Sequence, residues 1–281
     1  MEPISLGVLL RSIILLYERE ESTLQDLEKK LRITTERAKA IERQLQNMLL
    51  IEKIGEKIKC TLKGSQLVVA FREESWDEIH EILIDSCKEY RTLLKALQKS
   101  CIGQKGLMTH QIISISQNLE KSLNRVTVEI CCDWGCRLGK IQKNLYTSGV
   151  ISRFYLVSNN TSSIEIERAI VREYISMRGN NLISLLYVSI PKLREIICEL
   201  EKISRSLFDK SLLKMWIGSN GSIELASGPL NSSAIRTPTH ILSINVDRNN
   251  AILSPKYALR VGEGLDIGGK KYQTIAFHQG F

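Results

Sequence analysis

The twelve residues EICCDWGCRLGK, Glu129 to Lys140, place Cys131, Cys132 and Cys136 within six positions. Three readings compete for them: metal ligation, thiol redox chemistry, or no chemistry, because a free cysteine is also a small apolar residue that favours the interior. Adjacent side chains on a helix diverge by about 100°, which makes Cys131 and Cys132 awkward partners for Cys136 around one ion. A tetrahedral zinc site would need a fourth donor, and only the distant Cys101 or His110 could be nominated. A thiol beside Arg137 and Lys140 would have a lowered pKa and could sense oxidants. Packing at a helix-helix elbow explains the cysteines without an ion, so no metal and no cofactor is expected.

Other chemistry is thinly represented. The four histidines, at 80, 110, 240 and 278, are scattered, and His80 sits among acids as a surface residue would. The chain has no phosphate-loop, dinucleotide or zinc-protease motif, and the glycines of VGEGLDIGGKK lie between strands with no helix to follow. No catalytic arrangement follows from spacing, so an enzyme is not expected. Seven cysteines without a disulfide pattern fit a reducing compartment. The first apolar stretch is interrupted by Arg11 and lacks a basic start and cleavage site, which points to an intracellular, cytoplasmic protein without a membrane span.

The net charge of +8 suggests a polyanionic partner. It is spread as +2 over residues 1–73, −1 over 74–106, +3 over 107–160, +1 over 161–230 and +3 over 231–281. No basic tail carries the excess, so any nucleic-acid contact must come from folded surfaces.

The elements that would build those surfaces follow from periodicity. Residues 5–17 read as an apolar helix. Ser22 or Thr23 caps a short one with Leu24, Leu27 and Leu31 on one face. Thr34 or Thr35 caps a third, with Ala38, Ile41, Leu45, Met48 and Leu49 inward and Arg37, Lys39, Arg43, Gln44 and Gln46 on its surface. LLIEKIGEKIKCTL alternates around GEK as a hairpin, and Thr61 caps another helix.

Three helices followed by a two-stranded wing resemble the winged-helix DNA-binding domains of archaeal and bacterial transcription regulators of the MarR and PadR type. Those domains often close the wing with Leu-Thr-x-x-Gly; here it reads CTLKG, with Cys60 in the leucine slot. The resemblance implies that the third helix enters the major groove and the wing touches the backbone. Thr34, Thr35, Arg37 and Arg43 would then face DNA, with Lys53, Lys57 and Lys59 on the wing.

Residues 75–100 read as one long amphipathic helix with a stripe of Ile79, Ile82, Leu83, Cys87, Tyr90, Leu93, Leu94 and Leu97. In similar regulators a helix at this place dimerises the protein; a spacer between modules is the alternative. Residues 107–160 repeat the rhythm. A helix covers 108–121, VTVEICCDW forms a second, Gly135 begins a turn, and a third helix carries Leu138, Ile141 and Leu145 before a wing containing Gly149-Val150-Ile151. Arg137, Lys140, Lys143 and Arg153 are its DNA-facing candidates, with no acid between Asp133 and Arg153. A third copy spans 161–230. Pro191 begins a helix burying Leu193, Ile196, Ile197 and Leu200, Ser204 caps the next, and Phe208, Leu212 and Met215 point inward. Arg205, Ser206, Lys210 and Lys214 would project, and this near-neutral copy suits DNA or protein contact equally. Residues 231–281 read as a small β-element or extended wing.

The expected architecture is mainly α with small β wings, an α+β chain of two to three tandem winged helices with a C-terminal β-element. The expected function is binding of double-stranded DNA by a nucleoid-associated transcriptional regulator. Archaeal winged-helix replication initiators share the architecture, and non-enzymatic scaffolds built from winged helices form the rival class.

Overall fold

The computed structural model describes residues 3–19, 22–144, 152–158, 161–178, 186–227 and 264–278. Among the described residues the chain divides into two compact units, one of residues up to Lys99 together with Thr109–Ile141, the other of Ser100–Met108 together with the described residues from Gln142 onward. Both are mainly helical with small antiparallel sheets. No helix among the described residues is long and apolar enough to cross a membrane.

In the first unit, α1 (Leu6–Tyr17) buries Leu6, Leu9, Leu10, Ile13 and Leu16, the spacing of one helical face. Thr23 caps α2 (Leu24–Leu31) in a reciprocal box with Asp26, and Thr34 caps α3 (Thr35–Asn47). Ala38, Ile41, Leu45 and Met48 face inward as expected. Leu49 does not: it takes a left-handed φ of 56° in the turn after α3 and is 66% exposed. β1 (Ile51–Ile54) and β2 (Lys57–Cys60) form the hairpin, turning at Gly55 with φ +65°, and Ser22 bridges to Ile58 of β2. The CTLKG stretch has a mechanical reason. Thr61 donates to the Leu49 carbonyl at 2.7 Å and caps α4 (Leu62–Arg72), while a Cβ on Gly64 would sit 2.1 Å from the Leu50 carbonyl oxygen.

The long helix expected over 75–100 is two helices, α5 (Trp76–Ser86) and α6 (Lys88–Leu97), broken at Cys87, whose backbone is extended. Arg91 reaches back across the break and donates to the carbonyls of Ile84 and Asp85 at 3.0 and 2.8 Å, satisfying groups that the lost helical turn leaves open. The stripe is not left for a partner: Tyr90, Leu93, Leu94 and Leu97 are buried where α6 packs on α7 (Thr109–Ser116) and α8 (Arg125–Arg137).

The 125–145 stretch also differs from expectation. Asn124 caps α8, which runs straight through Gly135. A Cβ there would lie 2.4 Å from Ile141 Cδ1, so Gly135 is a packing glycine, not a turn. The turn comes later, at Gly139 with φ +71°, and leads into β4 (Ile141–Asn144), so no further helix carries Leu138 and Ile141. Leu145 and Gly149-Val150-Ile151 lie outside the described residues.

In the second unit, β3 (Leu107–Met108), β4 and β5 (Arg153–Leu156) form a sheet in the order β3-β5-β4. α9 (Ser163–Arg178), α10 (Ile190–Glu201, with Pro191 in its first turn) and α11 (Arg205–Gly218, capped by Ser204) surround a core containing Ile166, Ile170, Leu193, Ile197, Phe208 and Leu212. β6 (Val188–Ser189), β7 (Ile223–Ala226) and β10 (Thr274–Phe277) make a second sheet with β10 central, while β8 (Leu265–Ile267) and β9 (Lys270–Tyr272) form a hairpin. Part of the C-terminal segment thus completes the third copy's own sheet. The rest of the β-element expected over 231–281 lies outside the described residues.

Among the described residues one order of elements recurs three times, helix, short extended segment, two helices, two strands, with the β8–β9 hairpin set between the two strands of the third copy. Each time the first extended segment pairs with the last strand, as Ser22 with β2, β3 with β5, and β6 with β10. The middle copy is divided, with α6, α7 and α8 in the first unit and most of its sheet in the second.

Candidate nucleic-acid interface

On α3 the residues that cannot enter the core make a cationic face. Thr34 accepts the Arg37 amide at 3.4 Å and sets the start of the helix; Thr34, Thr35, Arg37, Lys39 and Arg43 are all exposed. Arg37, Lys39 and Arg43 make no ion pair among the described residues. Lys39 and Arg43 stand four apart on one face, an arrangement that costs an isolated helix a few tenths of a kcal/mol, about 0.2–0.5. Of the two acids on the helix, Glu42 is buried and held by Lys53 of β1 at 2.7 Å, while Glu36 is exposed beside the cations. On β2, Lys57 and Lys59 flank the buried Ile58, so they share the outer face of the hairpin, with Lys59 paired across to Glu52. Lys39 belongs with this set although the family resemblance did not select it; its i,i+4 relation to Arg43 is the signal that could have found it.

The candidates from the middle copy are engaged within their own units. Arg137 is bound to Asp133 at 2.7 Å and Lys140 to Asp77 at 2.7 Å. Lys143 lies on β4 with its ammonium 5.6 Å from the centroid of Phe154, and Arg153, on β5, is four-fifths buried near Glu199. None of the four stands on a third helix among the described residues: Arg137 ends α8, Lys140 follows the Gly139 turn, and Lys143 and Arg153 lie on strands.

In the third copy, Arg205 is a correction. It does not project; it is 2% exposed, bound through two nitrogens to Glu195, and donates to the Lys143 carbonyl at 2.7 Å. Its partner lies one helix earlier, so no local pattern exposes the pairing. The buried carboxylate holds its guanidinium firmly protonated, the attraction outweighing desolvation. Lys214 is tied to Glu167 and Ser163 at 3.1 Å each, while Lys210 is exposed.

Cys131, Cys132 and Cys136 are buried in the last turns of α8, inside a helix and not at an elbow between two. The thiol of Cys131 is pushed well above its ordinary value by a hydrogen bond with Cys87 and by burial, opposite to the activation that nearby cations would bring. Among the described residues no three His, Cys, Asp or Glu side chains come together as metal ligands. His80 is not a surface residue: it is 8% exposed, its Nδ1 lies 3.0 Å from the Tyr90 hydroxyl, and burial depresses it to a pKa of about 4.

No family model, curated protein or solved structure matches this chain.

Proposed function

We propose that the chain is a tandem winged helix-turn-helix protein that binds double-stranded DNA through its first module, residues 1–73. The observation that carries this reading is the pair Lys39 and Arg43, exposed on one face of α3 and without an ion pair among the described residues. It occurs on the second helix of a helix pair, followed by a two-stranded hairpin bearing Lys57 and Lys59. A helix so placed suits the major groove, and a hairpin beside it suits the phosphate backbone. The threefold order of elements, with the first extended segment pairing to the last strand, supports the winged-helix plan throughout. The function of choice is transcriptional regulation, with origin binding as the same physical activity in another setting.

A mobility-shift titration on genomic fragments at two salt concentrations tests the proposal. Phosphate contacts predict affinity that falls steeply as salt rises, and paired Lys39→Glu and Arg43→Glu substitutions should abolish the shift at the higher salt. Absence of binding at low salt would sink the DNA reading. Equal affinity for every fragment would make the protein architectural instead of regulatory. A scaffold reading is favoured by one observation, the internal pairing of cations in the second and third copies. It would take over if DNA failed to bind.

A further inference from the structure

The helix α9 of the second unit has two apolar faces. Ile166, Ala169, Ile170 and Tyr174 enter the core. On the outer side Ile164, Arg168, Val171 and Ile175 follow spacings of four, three and four, the seam by which one helix receives another. Ile164 and Ile175 remain 60% and 62% exposed, unusual for side chains of that size on one stripe. With Met215 and Gly218 of α11 they line a groove of about 810 Å³.

The charge around this groove is one-sided. Arg168, Arg172 and Lys214 stand on it against a single acid, Glu167. Arg172 is held by Glu201 and Glu173, and Lys214 by Glu167. Arg168, in the middle of the seam, makes no ion pair among the described residues, although Glu165 one turn earlier lies close enough to feel its charge.

We infer that this groove seats an acidic amphipathic helix of a partner protein. Its apolar side chains would lie along Ile164, Val171 and Ile175, and a carboxylate would meet Arg168. The chain itself does not supply that occupant. Residues 228–263 carry four basic and two acidic residues, and 179–185 carry no charge. The acidic helix α5, with Asp77, Glu78, Glu81 and Asp85, turns Ile79 and Leu83 into its own core, so a second copy offers no free acidic stripe there. The inference stands apart from DNA binding by the first module.

Gly218 gives a test that spares the fold, because a Cβ there meets nothing within 4 Å. Fluorescence anisotropy with the full chain would compare two labelled synthetic helices, leucine at every seam position with glutamate elsewhere, and the same peptide with lysine for glutamate. The acidic peptide should bind at least tenfold more tightly than its lysine twin at physiological salt. Gly218→Trp should weaken it about tenfold by occupying the groove, and Arg168→Glu should transfer the preference to the lysine peptide, with thermal melts of both variants overlaying the parent. Equal affinity for the two peptides, or an unchanged preference in Arg168→Glu, would overturn the inference. Self-association that Gly218→Trp abolishes would overturn it in favour of a second copy.

Discussion

The indole Nε1 of Trp134 donates to the backbone carbonyl of Ile4 at 3.0 Å, joining positions 130 residues apart in sequence. Both residues are buried, and the Tyr90 ring packs against the indole at 5.8 Å between centroids. The end of α8 is therefore fastened to the segment leading into α1. The same turns carry the buried Cys131, Cys132 and Cys136, and Gly135, which admits Ile141.

Trp134→Phe keeps an aromatic ring and removes the donor. The Ile4 carbonyl would be left buried without its partner, a loss of about 1–3 kcal/mol before any packing defect is added. Urea denaturation should show a lower midpoint with the slope unchanged. An unchanged midpoint would mean that the two segments are held together by other contacts alone.

The same burial governs thiol reactivity. Cys101 is exposed and Cys60 half-buried, whereas Cys87, Cys131, Cys132, Cys136 and Cys198 are buried. Burial raises Cys60 to about 11, so even this thiol is mostly protonated at neutral pH. A disulfide-exchange reagent should therefore modify Cys101 rapidly in the native protein and the buried five only on the timescale of unfolding. Rapid modification of Cys131 with the fold intact would restore the redox-sensor reading.

Much of the local architecture was readable because its determinants are local. Thr23, Thr34, Thr61 and Ser204 each cap the helix that follows, and Pro191 lies in the first turn of α10. What escaped depended on distant partners. Helical periodicity continues across Cys87, where Arg91 reaches back to the Ile84 and Asp85 carbonyls that the break leaves open. Gly135 has the composition of a turn but serves the approach of Ile141. Arg205 looked like a surface cation because Glu195 lies on the preceding helix. For the interface, charge spacing on α3 was visible, while the quenching of Arg137 and Lys140 by Asp133 and Asp77 was not.

His80 makes stability depend on pH. Burial, with a smaller contribution from the neighbouring Lys140, holds its folded pKa at about 4, against the opposing pull of Asp77. In the unfolded chain it titrates near 6.5, so between these values the unfolded state binds more protons and stability falls as pH falls. The contribution is fully present above about pH 6.5 and lost on passing through about pH 4, worth roughly 3 kcal/mol from a shift of this size. His80→Gln, which can still meet the Tyr90 hydroxyl, should flatten the difference in unfolding free energy between pH 7 and pH 4. Equal pH dependence in the variant and the parent would show that other groups carry the acid sensitivity.

The slope of DNA affinity against salt distinguishes cations that meet phosphates from cations engaged inside the fold. Each phosphate contact contributes about 0.9 to the slope of log affinity against log salt on duplex DNA. On the DNA-binding reading proposed above, Lys39→Gln and Arg43→Gln should each lower that slope by about one, and the double variant by about two, because neither side chain makes an ion pair among the described residues. Lys140→Gln serves as the control: its ammonium lies 2.7 Å from Asp77, so its removal should leave the slope within error of the parent. A slope that falls with Lys140→Gln and not with Arg43→Gln would move the contact from α3 to the turn after α8.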